Sequence, residues 1–497
     1  MEKCKKYGGK ALEKCKKCTK FALEKCKKYG KNAMEKCNMI DRTLDIQIET
    51  HFATCKEALL LKGARQTGKT FAIRKYAQTH QMNLIEINFL EDKEAVKIFN
   101  GANSAKEVLL RISAHTRKTV SQPNTLIFFD EVQKCPEIIT WIKFLVDEGS
   151  CRYALSGSLL GVEMKDIESV PVGYMAVKDV FPLDFEEFSR CLGLSDVVFE
   201  SLKVSWEKLE PVDEVVHNAL IKAVHLYLIV GGMPAVIQAY IDTNDMNVVE
   251  NKQREILRLY RWDIAQYNTE GRLELEEIFQ LIPSELDAKN KRFILKNLNE
   301  KARFSRYKES FLWLKDAGIA IPTFNVAEPR IPLKLNEQRN LFKLFQNDVG
   351  LLASQYASGL QLKILNGEVN INYGAIYENF VAQELCAHGY GGFDHSLYYF
   401  NNKKQGELDF VIERNGEIVP IEVKSGKDYD RHNALAAVVK NPEYAISRAI
   451  VLNNGNVEVK DKVIYLPIYM VMFMGKRDDI GSQIFRMELR NLKMDSR

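Results

Sequence analysis

Apolar positions along the chain fall into short continuous runs, alternating stretches and 3.6-residue stripes, and each pattern predicts an element. Ala58 to Leu61 is an apolar run suited to a buried strand, and Ile73, Tyr76 and Ala77 follow at helical spacing. Asn83 to Phe89 alternates as a strand and Ala105 to His115 is helical in pattern, while Thr125 to Glu131 is an apolar strand ending in two acids. Tyr153 to Ser158 has the form of a further core strand with a small polar residue at its tip. From Phe185 to about Tyr267 the patterns are mostly helical, broken at Gly231-Gly232-Met233-Pro234. Residues 272–335 predict short helices and then, at Gly318 to Phe324, a turn into β structure as in a winged helix. Further on, Tyr377, Val381 and Leu385 make a helical stripe with Glu378 on its edge, before two strands, Gly406–Glu413 and Ile418–Ser425.

At 497 residues the chain should hold two to four domains, each able to bury a core. Leu466 to Met474, the longest apolar stretch near the end, is nine residues with Pro467 inside it, far short of a bilayer span. The lysine-rich start has no apolar core of a signal peptide, so a cytoplasmic protein with no membrane partner is expected. The formal charge of +4 is uneven: residues 1–37 carry thirteen Lys and four Glu, a net of +9, which leaves 4 − 9 = −5 for the rest. That basic stretch repeats every 11 residues and would set Cys4, Cys15, Cys26 and Cys37 near one helical stripe. It suits either a basic arm for nucleic acid or a partner, or a translated tandem repeat ahead of the folded domains; the second is our expectation. Cys15 and Cys18 form a CxxC without a second at finger spacing, which argues against zinc.

Gly63-Ala64-Arg65-Gln66-Thr67-Gly68-Lys69-Thr70, between the first strand and a helix, fits a phosphate loop. Glycines let such a loop curl so that backbone N–H groups and a helix N-terminus face the β-phosphate of ATP. Lys69 would reach the β- and γ-phosphates, and Thr70 would place its hydroxyl on Mg²⁺. Asp130, 61 residues beyond Lys69 at a strand's carboxyl end, would hold Mg²⁺ through water, and Glu131 would polarise the attacking water. Ser156 or Ser158 could contact the γ-phosphate or that water.

Two further clusters carry chemistry. Lys289 to Lys308 holds eight basic residues against Glu300, +7 in a body otherwise net negative, which suits phosphate contacts along DNA. In the C-terminal part, Asp409 on one strand and Glu422-Val423-Lys424 on the next make the arrangement of the PD-(D/E)xK nuclease fold. Glu422 and Lys424 are two apart and share a strand face. There Asp409 and Glu422 could share a divalent metal, with Glu378 nearby and Lys424 stabilising charge on the phosphate.

GARQTGKT, FFDEVQKCP, ALSGS, FPLDFEEF (Phe181–Phe188) and GGMP together resemble a bacterial and archaeal AAA-type ATPase family whose members carry a restriction-endonuclease-like C-terminal region. The resemblance spans about residues 40–475 and includes Phe342 to Leu351 at the junction to the last domain. It implies an α/β protein: a P-loop ATPase core with parallel sheet, a helical lid and winged helix, then an α/β restriction-endonuclease-like domain. Boundaries are expected at 1–37 for the repeats, 38–184 for the core, 185–270 for the lid, 271–335 for the winged helix, 336–480 for the nuclease-like domain and 481–497 for a tail. The family commonly has Gly-Arg before the last core strand where this chain has Gly173-Tyr174, which leaves Arg65 and Arg152 as nearby basic candidates. The function expected is an ATP-hydrolysing, DNA-processing protein, possible as a homo-oligomer, with Lys69, Glu131, Glu378, Asp409, Glu422 and Lys424 as catalytic candidates. Its rival is a nucleotide-switch regulator whose C-terminal domain binds nucleic acid or protein without cutting.

Overall fold

The computed structural model of the chain describes residues 40–120, 124–158, 173–266, 272–288, 291–298, 300, 304–356, 360–365, 373–392, 395–426 and 429–475. The basic repeats of residues 1–37 and the tail from 481 lie outside these, as do Lys289, Lys301 and Arg303 of the basic run. The chain divides after Thr43, and the architecture belongs to the unit Leu44–Arg497.

The first half of that unit is a five-stranded parallel sheet in the order β2-β3-β4-β1-β5. The strands are β1 (Ala58–Lys62), β2 (Asn83–Asn88), β3 (Thr125–Asp130), β4 (Arg152–Gly157) and β5 (Met175–Asp179). Strand alternation sends Leu59, Leu61, Leu126 and Phe128 to one face, where they meet helices α1 (Thr43–Thr54) and α2 (Lys69–Thr79). Leu60, Ile127 and Phe129 point the other way, towards α3 (Ala105–Thr116) and α4 (Glu137–Glu148). Helices on both faces explain why β1 and β3 are continuous apolar runs rather than alternating ones.

The helices that come next are α5 (Phe185–Cys191), α6 (Asp196–Lys208), α7 (Glu214–Val230), α8 (Pro234–Thr243), α9 (Met246–Gln266) and α10 (Arg272–Asp287). The break between α7 and α8 is set by packing. Gly231 has φ +75°, and a methyl group on Gly232 would strike the Leu183 carbonyl. The buried Asp348 carboxylate accepts from Gly232 N at 2.6 Å and from Leu351 N at 2.9 Å, joining this break to the C-terminal half.

Beyond them lie α11 (Phe304–Asp316), β6 (Ala320–Val326), β7 (Glu337–Gln346), α12 (Val349–Ala353), α13 (Leu360–Leu365) and α14 (Gly374–Ala387). They are succeeded by β8 (Leu397–Asn402), β9 (Gly406–Arg414), β10 (Glu417–Val423), α15 (Asn433–Lys440), β11 (Ala449–Asn453), β12 (Glu458–Lys460) and β13 (Val463–Pro467). Strands β6 to β13 form one mixed sheet ordered β12-β13-β11-β10-β9-β8-β6-β7. This differs from the separate winged helix expected at 271–335: Phe324 of β6 pairs with Phe342 of β7 and with Tyr398 of β8, so the boundary at 335/336 falls inside one sheet. Helix α7 likewise reaches the last domain, where His217 Nδ1 and the Tyr469 hydroxyl share a 3.0 Å hydrogen bond. The helical pattern of this region was legible, but the partner of His217, 252 residues away, was not.

Candidate functional site

Strand order places β4 between β1 and β3, so the carboxyl ends of three adjacent strands converge. The loop after β1 curls through Gln66 and Gly68, whose φ values are +66° and +90°, and Gly68 caps the N-terminus of α2. Gly63 meets a different demand: a methyl group there would run into the Val180 carbonyl that follows β5. Thr67 Oγ1 donates to Ala64 O at 2.9 Å. Lys69 Nζ donates to Gly63 O at 2.9 Å and Ala64 O at 2.7 Å, inside the curl. Burial there pushes its ammonium down to about 8, against the pull of Glu131 and Asp130.

Thr70 Oγ1 donates to Asp130 Oδ2 at 3.0 Å, and Asn88 Nδ2 donates to the same oxygen at 3.2 Å. Ser156 Oγ, at the tip of β4, donates to Asp130 Oδ1. Burial raises the Asp130 carboxyl, an anionic oxygen cluster that a hard cation suits. A hydroxyl and a carboxylate side by side at a helix N-terminus fit Mg²⁺ held by Thr70 and Asp130. Glu131 adopts left-handed backbone, φ +56°, which costs a non-glycine residue. Its carboxylate accepts from Gln133 Nε2, and from Ser158 Oγ at 3.3 Å. The two serines are thus divided, Ser156 serving Asp130 and Ser158 serving Glu131.

Arg65 turns out of the loop towards α9, where its Nε lies 3.0 Å from the buried carboxylate of Asp263. Arg152, the other basic candidate, begins β4 at the opposite end of the sheet and donates to Cys55 O, away from this site.

The second constellation lies between α14 and the mixed sheet. Ile421 stands opposite Phe410, which sets Glu422 beside Asp409, and Val423 N donates to Asp409 Oδ2 at 2.8 Å. Lys424 Nζ donates to Glu422 Oε1 at 2.7 Å, as expected of neighbours on one strand face. At the centre is a residue that the spacing of the acids did not predict. The fully buried Lys343 of β7 sets its Nζ 2.7 Å from Glu407, 3.2 Å from Glu378 and 3.7 Å from Asp409. Lys291 pairs with the other oxygen of Glu378. Burial alone would raise the Glu378 carboxyl, but Lys343 and Lys291 hold it below the usual range. Burial, then Glu378 and Glu422, push Asp409 well above it; burial also raises Glu422, against Lys424.

Asp409 and Glu422, expected to share a divalent metal, are already engaged in part by protein groups. Lys343 supplies the charge at the centre, Val423 and Lys424 occupy other carboxylate oxygens, and no group of three or more His, Cys, Asp or Glu among the described residues is disposed to hold a metal. The basic run is partly consumed as well: Lys291 faces inward and Arg306 pairs with Glu274.

Residues 56–189 match a sequence family described as an AAA domain. This segment is an AAA-type P-loop ATPase domain. Residues 221–363 and 373–471 match two domains of unknown function, DUF8612 and DUF4143. No curated protein matches the chain. Among solved structures, the Walker-type ATPase PABY2304 of Pyrococcus abyssi is 15% identical over 64% of this chain and 96% of its own, with a TM-score of 0.38. The Aeropyrum pernix ORC1 protein, solved in complex with DNA, is 12% identical over 64% and 92%, at 0.28. Cdc6p from Pyrobaculum aerophilum is 12% identical over 65% and 92%, at 0.25.

In the ATPase domain every phosphate-loop, Asp130 and Ser156 candidate comes to one sheet end. The C-terminal candidates Glu378, Asp409, Glu422 and Lys424 also converge. What sequence reasoning missed was Lys343, Glu407, the inward turn of Lys291, and Asp263. Glu407 is two residues before Asp409 and so on its face, a signal that was available. Lys343 interrupts the apolar run Phe342-Lys343-Leu344-Phe345, and a charge inside a buried strand implies a buried counter-charge.

Proposed function

We propose that the chain is an ATP-hydrolysing switch whose C-terminal domain binds its partner without cutting it. In the ATPase domain Lys69 binds the β- and γ-phosphates, and Thr70 and Asp130 hold Mg²⁺, which when bound offsets charge on the phosphates. Glu131 accepts the proton side of the attacking water, steadied by Ser158 and Gln133, and Ser156 fixes the Asp130 rotamer. Arg65 joins this site to α9, so nucleotide at the loop and the position of the middle helices are linked through one ion pair.

The observation carrying the non-cleaving half is Lys343. Four carboxylates, Glu378, Glu407, Asp409 and Glu422, are met by three ammoniums, Lys291, Lys343 and Lys424, leaving a formal −1. Such a cluster is a self-neutralised buried network, with little charge left to recruit a cation.

A metal-dependent nuclease is the second reading, favoured by one detail: Glu422 Oε2 is buried and has no hydrogen-bond partner. Supercoiled plasmid incubated with the purified protein and Mg²⁺ or Mn²⁺, with and without ATP, separates the two. We expect no nicking; nicking that disappears in Asp409→Asn would establish the nuclease instead.

A further inference from the structure

We propose that the groove between α11 and the β6–β7 hairpin is a binding site for a nucleobase carrying a phosphate. The inference rests on the C-terminal half being a binding module, and it names what that module takes.

Phe304, Lys308, Phe311 and Lys315 lie four, three and four residues apart and therefore share one face of α11. That face looks onto Phe324 and Phe342, paired across β6 and β7. Between helix and hairpin is an open groove with a volume of about 260 Å³. Its floor is an aromatic cluster. Phe304 stacks on Phe311 with ring planes 10° apart, and Phe311 and Phe342 meet edge to face at 4.7 Å between centroids. Phe304 and Phe324 are only half-buried, so part of each ring faces the groove.

Lys308, Lys315 and Arg339 line the groove with a single acid, Glu337, which Arg339 engages at 2.8 Å. The lining is therefore net positive beside an apolar aromatic floor. A purely apolar ligand would make no use of the exposed Lys308 ammonium, and a simple anion would leave the rings uncovered. A base on the rings with its phosphate on Lys308, beside the Arg339–Glu337 pair, answers both, through stacking that tolerates any base and a charge contact that tracks the backbone. The ligand's source is single-stranded nucleic acid or a free mononucleotide.

Fluorescein-labelled oligothymidylate, read by anisotropy, and thymidine monophosphate, read by equilibrium dialysis, distinguish the sources. Both probes are tested on the full chain and on Lys69→Ala. Binding that survives Lys69→Ala is expected, because the groove is not the phosphate loop; binding lost with Lys69→Ala would overturn the inference. Phe304→Leu keeps apolar volume and removes a ring, and should weaken binding about ten-fold or more. Lys308→Glu changes an exposed side chain, is not expected to perturb folding, and should lower the salt slope by about one or more. Saturation by the monophosphate with no gain from the strand assigns a mononucleotide; tighter strand binding assigns nucleic acid. Failure of both probes to bind, binding indifferent to both substitutions, or displacement of the strand by an acidic peptide at equal concentration would overturn the site. Nicking assayed on the same preparation would end the non-cleaving reading while leaving the groove standing.

Discussion

Lys343→Met is the sharpest test of the C-terminal cluster, because it removes the charge and keeps most of the volume. Lys343 is fully buried, and its Nζ lies within 4 Å of carboxylates on three residues, Glu407, Glu378 and Asp409. Removing one member of a buried pair costs about 3–5 kcal/mol, since the partner charge is left uncompensated. Here Lys291 still meets Glu378, so we expect a loss near the lower end, about 3 kcal/mol, and a melting temperature lower by about 3–6 °C at neutral pH.

The pH dependence gives the mechanism away. In the unmodified protein Glu378 is depressed, so its contribution is present above its unfolded value and is lost as pH falls through its folded one. In the variant Lys291 alone opposes burial, so the same carboxyl is expected to move upward. The stabilisation that Glu378 lends above its unfolded value is then reduced, so the two melting curves should converge as pH falls towards 4. Adding Glu378→Gln to Lys343→Met should recover part of the loss, with a coupling of about 1–3 kcal/mol. Thermal melts from pH 4 to 8 on the unmodified protein, Lys343→Met, Glu378→Gln and the double variant decide the matter. Lys343→Met melting with the unmodified protein at pH 7, or a gap independent of pH, would refute the central role given to this lysine.

Lys69→Ala should abolish ATP binding or hydrolysis, whereas Glu131→Gln should retain bound ATP and lose turnover, checked by nucleotide-binding and phosphate-release assays. Because burial holds Lys69 down to about 8 and phosphates favour its charged form, ATP binding should take up a proton near that pH and weaken above it. Calorimetry in buffers of different ionisation heat would show this. The Arg65–Asp263 pair should give a double-mutant coupling of about 1–3 kcal/mol in nucleotide affinity; additivity within roughly 0.5 kcal/mol would deny that α9 senses the loop. Burial alone would lower His388, but Asp184 and Glu384 raise it to about 9. That folded value lies above the unfolded one, so the stabilisation is whole below about pH 6.5 and lost as pH rises through 9, a slope that His388→Asn should flatten in thermal melts.

What was legible in the sequence was what the chain writes locally. The phosphate loop is eight consecutive residues between a strand and a helix, and the acids after β3 follow from the strand that carries them. Even there Gly63 misled: its glycine answers Val180, 117 residues on, where the phosphate chemistry alone supplied a sufficient reason. The pattern of acids on β9 and β10 was visible for the same local cause, since residues two apart on a strand share a face.

What was not legible is the arrangement of those strands and its consequence for charge. The basic run at 289–308 was expected to contact phosphate, being +7 in a body otherwise net negative. Lys291 instead turns inward to Glu378, 87 residues away, and Arg306 crosses to Glu274. Net charge along a segment therefore overstated the positive field. Lys343 shows the converse: a lone charge inside an apolar strand carried more weight than the run of eight, because low dielectric magnifies a buried charge and water screens an exposed one. Antiparallel pairing of β9 with β10 sets Asp409 and Glu422 side by side as expected, yet one lysine on a strand three places from β9 across the sheet, beyond β8 and β6, places its ammonium beside Asp409 and Glu378, a contact that no local spacing could announce.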